Sequence, residues 1–255
     1  MPAPHNRFKR ALLSGQRQLG LWVALANPIS AELCARAGFD WLLLDGEHGP
    51  NDVRSILHQL QAVSAYPGSP VVRIPVADAT HIKQMLDIGA QTLLVPMVDT
   101  PDQAITMAKA MRYPPLGTRG IGAALARASG FNLIPDYLQT ADAEVCLLVQ
   151  AEARKSIENL EAIAATEGVD GVFIGPSDLA ADMGLIGRAE TAEVIQVVED
   201  AIGRLVGLGK PVGILAANPT IAQRYLDKGA TFVAIGTDVG ALRSGLANIR
   251  KAVGS

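Results

Sequence analysis

The sequence predicts an α/β protein with a single domain over residues 1–255, folded as a (β/α)8 barrel. First, a helix-like segment that ends in glycine and leads into a short apolar run occurs in the segments that begin at Ala37, Ile88, Glu167 and Lys228. Second, further apolar runs bring the strand candidates to eight, with helical patterns between them. Third, about 250 residues is a usual length for such a barrel.

The predicted strands are runs of mostly four to six apolar residues, as expected for parallel strands that are buried on both faces. The glycine before several of them marks the end of a helix, because glycine adopts the left-handed conformation at low cost. A doubly wound sheet is the alternative, but its G-x-G-x-x-G turn after the first strand is absent. The segments are LGLWVAL from Leu19, AGFDWLLLDGEH from Ala37, PVVRIP from Pro70, IGAQTLLVPMVD from Ile88, VCLLVQ from Val145, EGVDGVFIGPSD from Glu167, PVGILAA from Pro211 and KGATFVAIGTDV from Lys228.

Helices are predicted between these strands from apolar periodicity and from N-cap and proline start signals. The longest segment without a clear pattern is Arg112–Asp142, and loops of that length are uncommon unless they are functional. Its arginines, Arg112, Arg119 and Arg127, are therefore candidates for contact with a substrate or a partner subunit. The predicted helices are Pro28–Ala37, Val53–Val63, Ala79–Asp87, Pro101–Met111, Ser156–Ala165, Thr191–Val206 and Thr220–Asp227.

Composition excludes several function classes. Only 18% of residues are charged and the net charge is -3, without a basic patch, so we expect no nucleic-acid partner. The basic N-terminus lacks a long apolar stretch and nothing resembles a membrane-spanning helix, so we expect no membrane partner.

Cys34 and Cys146 lie in apolar surroundings and are interpreted as reduced core residues. We therefore expect a cytoplasmic location.

Polar side chains stand at the C-terminal ends of the predicted strands, where barrels of this kind place their active sites. The second strand leads into Asp45, Glu47 and His48, and a histidine beside acids is a candidate general base. A metal-binding role for this group is the alternative, although side chains so close in sequence seldom converge without a turn. Arg73 ends the third strand. A guanidinium there must be paired with an acid or face a ligand oxygen, and both interpretations stay open.

Glu152 and Asp178 follow the fifth and sixth strands, so both side chains can point at one place. Two carboxylates and water suit a hard divalent cation such as Mg²⁺ or Mn²⁺. First-turn acids of ordinary helices are the alternative. The segment from Gly175 to Asp178 can start a helix whose N–H groups bind a carboxylate, or can be a simple turn.

Covalent catalysis has little support. A Schiff-base lysine would project from a strand into the pocket, but no predicted strand contains one. Lys155, in the turn after Glu152, is only a weak candidate. A nucleophilic serine in a G-x-S-x-G context is also absent. The chemistry therefore favours metal assistance.

The motifs DGEHGPN, VVRIP, KQMLDIGAQTLLVPMV, RGIGAALARAS, IPDYL, LVQAE and GVDGVFIGPSDLAADMG together resemble a known family. They are similar to those of the metal-dependent class II pyruvate aldolases, the group of 4-hydroxy-2-oxoheptanedioate aldolase and 2-dehydro-3-deoxyglucarate aldolase. The resemblance extends over nearly the whole chain, from about Phe8 to Ala252. It implies a barrel of the phosphoenolpyruvate/pyruvate type whose last helix is exchanged between subunits. It also implies a homohexamer built as a trimer of dimers.

The resemblance also implies roles for individual residues. The divalent metal (Mg²⁺, Mn²⁺ or Co²⁺) would be held by Glu152 and Asp178. Arg73 would stabilise the enolate and His48 would be the general base. Asp87, from the same or a neighbouring subunit, would raise the basicity of that histidine. The remaining implied residues are Asp45 as a supporting acid beside His48, and Gln150, Ser177, Asp178 and Leu215 in the pyruvate-binding pocket. Glu47 is left without a specific role.

The function implied by the resemblance is cleavage, and formation, of 4-hydroxy-2-oxo acids such as 4-hydroxy-2-oxoheptanedioate. The products would be pyruvate and an aldehyde, formed through a pyruvate enolate in a pathway such as aromatic catabolism. Three alternatives stay open: a 2-dehydro-3-deoxyglucarate aldolase, a CoA-ester lyase, and a barrel that binds 2-oxo acids without catalysis. The sequence alone does not identify the aldehyde.

Overall fold

The computed structural model describes residues 1–253 and shows, within them, a closed barrel of eight parallel strands. Each strand pairs with the next along the chain, and β8 pairs with β1 to close the sheet. The predicted fold class is therefore confirmed, and each predicted strand is present. The strands are β1 Gln18–Val23, β2 Trp41–Asp45, β3 Ser69–Arg73, β4 Thr92–Val95, β5 Cys146–Ala151, β6 Gly171–Ile174, β7 Val212–Leu215 and β8 Phe232–Thr237.

Helices connect the strands around the outside of the barrel. Three of the predicted helices, α3, α4 and α5, have the predicted bounds, and the others shift by one to three residues. The predicted helix Ser156–Ala165 is in fact two short ones, α7 and α8. None of the described helices is both long enough and apolar enough to cross a bilayer. The helices are α1 Arg7–Leu13, α2 Pro28–Arg36, α3 Val53–Val63, α4 Ala79–Asp87, α5 Pro101–Met111, α6 Tyr137–Glu144, α7 Arg154–Glu158, α8 Leu160–Ala164, α9 Pro176–Asp182, α10 Ala192–Gly207, α11 Pro219–Asp227 and α12 Asp238–Ala252.

Helix α1, which precedes the first strand, covers the N-terminal end of the barrel interior. Phe8 of α1 is fully buried and makes edge contacts with Trp41 and Phe232, with ring centroids 5.9 and 5.7 Å apart. Such pairs contribute stability beyond the area they bury. The N-terminal end of the barrel is therefore filled by aromatic side chains, which leaves the C-terminal end open for a site.

The long segment between α5 and β5 lies at the N-terminal face, because it joins the end of a helix to the start of a strand. Within the described chain its three arginines contact other residues of the protein, and a contact with a substrate or a partner subunit stays a prediction. Arg112 pairs with Glu167, and Arg127 donates to the carbonyl of Ile88. Arg119 is buried and pairs with Asp87 at 2.8 Å.

Candidate active site

A cavity of about 560 Å³ opens at the C-terminal ends of the strands. Seven of the nine predicted site residues line it, and the exceptions are Glu152 and Asp87. Glu152 lies directly beside the cavity, whereas Asp87 does not belong to it. The lining includes Trp22, Asp45, His48, Arg73, Gln150, Gly175, Ser177, Asp178, Glu190 and Leu215.

Arg73, the last residue of β3, is 5% exposed and its guanidinium faces acids on the neighbouring strand. Its Nε donates to Oδ1 of Asp45 at 2.9 Å and its Nη2 donates to Oδ2 at 2.7 Å. Its Nη1 lies 2.7 Å from Oε2 of Glu47. The guanidinium also lies 4.8 Å from the ring centroid of Trp22. Arg73 is thus both a structural ion pair and a residue of the cavity wall.

Asp45, expected as a supporting acid beside His48, lies beside that residue and contacts its backbone. It accepts hydrogen bonds from Nε1 of Trp22 and from the backbone N–H groups of Glu47 and His48, in addition to Arg73. None of the hydrogen bonds found among the described residues joins it to the imidazole of His48. Burial would raise the pKa of Asp45, but the bonds and charge of Arg73 outweigh this and lower it. Asp45 therefore fixes the guanidinium and the loop after β2.

Glu152, just after β5, is 2% exposed and is held by two donors. The backbone N–H of Met97 donates to Oε1 at 2.8 Å, and Nε2 of Gln150 donates to Oε2. Met97 has φ 55°, a conformation that is uncommon outside glycine and often found at functional sites. Burial raises the pKa of Glu152 to about 7, and the charges of Asp178 and Glu47 add to the rise.

Gly175 allows Glu152 and α9 to come together. A Cβ atom at this position would lie 2.6 Å from Oε2 of Glu152 and 2.7 Å from its Cβ, so no side chain fits. Pro176 then starts α9, which places Ser177 and Asp178 in its first turn at the cavity wall. Of the two alternatives left open for this segment, a helix start and a simple turn, the structure has the helix.

The donor set fits a hard divalent cation. Asp45 and Glu47 pair with the guanidinium of Arg73, whereas Glu152 and Asp178 add two further carboxylates that have no arginine or lysine partner among the described residues, so the site carries an excess of negative charge. A cation would offset this charge and favour the ionised form of Glu152. In the described chain, no three His, Cys, Asp or Glu side chains form a complete metal cage. An open site with two carboxylates and further oxygen ligands is the arrangement typical of Mg²⁺.

His48 and Asp87 lie at different ends of the barrel. His48 follows β2 at the cavity rim, is exposed, and makes no hydrogen bond through its ring to any described residue. Asp87 is the last residue of α4, which runs from the C-terminal end of β3 to the N-terminal end of β4. Within one chain the expected contact between them is therefore absent, so a role for Asp87 at a histidine requires another copy of the chain.

Residues 18–245 match the family model described as HpcH/HpaI aldolase/citrate lyase. The chain belongs to this family. It is 61% identical over 233 residues to a hydroxypyruvate/pyruvate aldolase of Deinococcus radiodurans, an alignment that covers 91% of this chain and 84% of the relative. It is 55% identical over 240 residues to a 4-hydroxy-2-oxo-heptane-1,7-dioate aldolase of Salmonella dublin, with 94% and 91% covered.

A solved structure supports the same assignment for this HpcH/HpaI family member. The crystal structure of an HpcH/HpaI aldolase/citrate lyase family protein from Burkholderia cenocepacia J2315 is similar to it with a TM-score of 0.94 and 37% identity. That match covers 98% of this chain and 100% of the other. The family predicted from the motifs is thus confirmed, and the names of the relatives agree with the predicted class of enzyme, an aldolase.

Three residues of this HpcH/HpaI family member contribute to the site although the sequence assigns them no specific role in it. Glu47 contacts Arg73, Met97 orients Glu152, and Glu190 lines the cavity rim. The position of Glu47 near a strand end, between Asp45 and His48, is the one sequence feature that indicates a place in the site. Met97 acts through its backbone and Glu190 through a loop between two helices, and neither carries a pattern that sequence alone reveals.

Proposed function

We propose that this family member is a divalent-metal-dependent pyruvate aldolase that cleaves 4-hydroxy-2-oxo acids to pyruvate and an aldehyde. The observation that carries the proposal is the gathering of Arg73, His48, Glu152 and Asp178 around one cavity at the C-terminal end of the barrel. A protein that only binds 2-oxo acids has no need for a histidine base at the cavity rim.

Substrate binding follows from the cavity wall. Gln150 and the first turn of α9, at Ser177 and Asp178, offer donors to the carboxylate of a 2-oxo acid. Leu215 and Trp22 provide the apolar sides. Glu152 and Asp178 would hold the metal, which when bound acts as a Lewis acid towards the 2-oxo acid.

In the cleavage direction, His48 accepts the proton of the 4-hydroxyl group, and the bond between carbons 3 and 4 breaks to release the aldehyde. The electron pair of that bond becomes the pyruvate enolate. Arg73 stabilises the developing charge on the enolate oxygen, in the manner of an oxyanion hole. Protonation at carbon 3 then gives pyruvate.

The aldehyde is the less constrained half of the substrate. Among the described residues that line the cavity, Arg73 is the only arginine or lysine. Both Asp45 and Glu47 already contact it. Glu190 adds a negative charge at the rim and also lines the adjoining cavity, where Arg188 stands. Glu190 and Arg188 thus place one charge of each sign near the rim, so the assay below compares aldehydes with and without a second carboxylate.

An exposed apolar stripe on α12 supports the oligomer that is expected from the family resemblance. Its apolar residues Val239, Leu242, Leu246 and Ile249 are spaced three or four residues apart and all are exposed, which makes one apolar stripe. We propose that this stripe packs on another copy of the chain, as in a hexamer with exchanged last helices. A second copy would also be required to bring an Asp87 to His48.

The cytoplasm is proposed as the place of action. Both Cys34 and Cys146 are free thiols in the described structure, as suits a reducing compartment.

The test is an assay of pyruvate release from a panel of 4-hydroxy-2-oxo acids, with and without Mg²⁺ or Mn²⁺. The panel includes 4-hydroxy-2-oxoheptanedioate, 2-dehydro-3-deoxyglucarate, and products of uncharged aldehydes. We expect release that EDTA abolishes and that Mg²⁺ or Mn²⁺ restores. No pyruvate from any compound would contradict the proposal and favour a CoA-ester lyase or a binding protein, whereas full activity without metal would exclude the metal mechanism.

A further inference from the structure

Glu47 contacts the part of Arg73 that a ligand would use. Asp45 occupies the Nε–Nη2 edge of the guanidinium through two hydrogen bonds. An incoming anionic oxygen must therefore bind at Nη1, or at the remaining hydrogen of Nη2. Oε2 of Glu47 lies 2.7 Å from Nη1, and this oxygen is buried without any hydrogen bond of good geometry. A ligand oxygen that binds at Nη1 of Arg73 thus competes with Glu47.

The two acids differ in how firmly they are held. Asp45 is 2% exposed and accepts bonds from Arg73, Trp22 and two backbone N–H groups, so displacing it would disrupt the loop after β2. Glu47 is partly exposed and contacts Arg73 through one oxygen. Since a single ion pair without ideal geometry is easily exchanged, Glu47 is the acid that can leave.

Glu47 also stands at the cavity of the proposed metal site, because it contacts Arg73, which lines this cavity together with Asp178. Burial is the main reason that the pKa of Glu47 and that of Glu152 are raised, and repulsion adds to it, from Asp178 at Glu47 and from Glu47 at Glu152. A negative charge at this position stabilises a divalent cation at Glu152 and Asp178 even without a direct bond, because charges at the edge of a protein interior interact over several ångströms.

We propose that Glu47 is an exchangeable counter-ion: it occupies Nη1 of Arg73 in the free protein, gives way to the anionic oxygen of the 2-oxo acid, and strengthens cation binding throughout. Glu47 is thus a positioning residue, acting through Arg73 and through the charge of the site. The inference rests on the proposed aldolase function and gives a role to the acid that the sequence left unexplained.

The inference predicts opposite effects of one substitution on two ligands. In Glu47→Gln the charge is lost while the shape is kept. Mg²⁺ or Mn²⁺ should then bind more weakly, by about threefold or more, because one attractive charge is removed. Oxalate, a planar mimic of the enolate, and pyruvate should bind more tightly at saturating metal, by a similar factor, because the competing acid is gone. Isothermal titration calorimetry measures both affinities without turnover.

Two further variants separate the parts of the proposal. Glu47→Asp keeps the charge but is one methylene shorter, so metal affinity should stay near that of the unchanged protein while oxalate binds more tightly. Asp45→Asn should weaken oxalate binding, because Arg73 loses its fixed position. Glu193→Gln, an exposed residue of α10, removes one charge far from the cavity and should change neither affinity.

The outcomes distinguish this inference from the function on which it rests. Weaker binding of both ligands in Glu47→Gln would mean a purely structural role, and unchanged binding of both would mean no role; either result overturns the inference. If the unchanged protein bound no pyruvate or oxalate in the presence of metal, the proposed function would fail as well. Opposite shifts in the two affinities are the supporting result.

Discussion

Asp45 and Arg73 form a two-pronged ion pair at the ends of neighbouring strands, with N–O distances of 2.9 and 2.7 Å. The register of β2 and β3 sets this pair, because Asp45 and Arg73 are direct partners in the sheet. Planar, bidentate geometry is specific to arginine and carboxylate, and it orients the guanidinium towards the cavity. The barrel itself thus positions the residue proposed to stabilise the enolate.

Asp45→Asn should destabilise the protein by roughly 3 kcal/mol, because removal of one partner leaves a buried guanidinium without its counter-charge. The contribution of Asp45 to folding stability should also depend on pH. The folded-state pKa of Asp45 is lowered, so its contribution is present above its unfolded pKa and is lost as the pH falls through the folded value. Urea unfolding at neutral and acidic pH measures this. An equal loss at both would contradict the ion-pair explanation.

Arg73→Lys should reduce kcat/KM by about 10²–10³, since a point charge does not reproduce the fork that holds Asp45 and faces the substrate. Steady-state kinetics of pyruvate release measure the loss. Arg112→Lys is the matched control, because Arg112 pairs with an exposed glutamate at the N-terminal face, and it should keep normal turnover. Near-normal activity of Arg73→Lys would disprove the proposed role of Arg73.

Glu152 should make metal binding depend on pH near neutrality. Its folded pKa is raised to about 7 by burial, so metal must compete with a proton below that value. In the metal-free protein, the effect of pH on stability through Glu152 is opposite to that through Asp45. The folded state binds the extra proton, so stability falls as the pH rises from the unfolded pKa towards about 7.

Thermal melting in EDTA between pH 5 and 8 measures this effect. Glu152→Gln cannot ionise and should melt at a temperature that changes less with pH than that of the unchanged protein. Adding Mg²⁺ should raise the melting temperature of the unchanged protein most at the upper end of the range. Parallel pH profiles for the two proteins would show that Glu152 does not titrate in this window.

Much of the fold was predictable because buried parallel strands leave a strong apolar signal. Helices α3, α4 and α5 were predicted to the residue, since each has a clear N-cap and an amphipathic pattern. Short helices such as α1 and α9 give little periodicity, and tertiary contacts determine them. The tail helix α12 was expected only from the family resemblance.

The site was predictable to the extent that strand ends determine it. Arg73 ends a strand, and His48 and Glu152 each follow one, so barrel topology brings them to the same end of the barrel. Their partners were not predictable from spacing. The family resemblance implies Asp45 as a supporting acid beside His48, but it does not reveal that the register of β2 and β3 also pairs its carboxylate with Arg73. Asp87 lies at the other end of the barrel, which one chain's sequence pattern does not reveal.

Substitution of Leu246 by aspartate should lower the mass of the proposed oligomer, because it places a charge within the exposed apolar stripe of α12. Light scattering after size exclusion measures the mass. Lys251→Asp, on the same helix but outside the stripe, is the control and should leave the mass unchanged. An unaltered mass in Leu246→Asp would show that this stripe is not the contact between copies.

Gly175→Ala tests the packing that holds Glu152. The new methyl group would lie 2.6 Å from Oε2 of Glu152, well inside contact distance, so the carboxylate must move or the start of α9 must shift. Because displacing a ligand's supporting shell typically costs 10- to 100-fold in affinity, we expect a loss of about that size for Mn²⁺, measured by calorimetry. Gly203→Ala, within α10 and with open space around it, should leave binding unchanged and add about 0.5–1 kcal/mol of stability. Equal Mn²⁺ affinities in the two variants would show that Gly175 does not position the metal ligand.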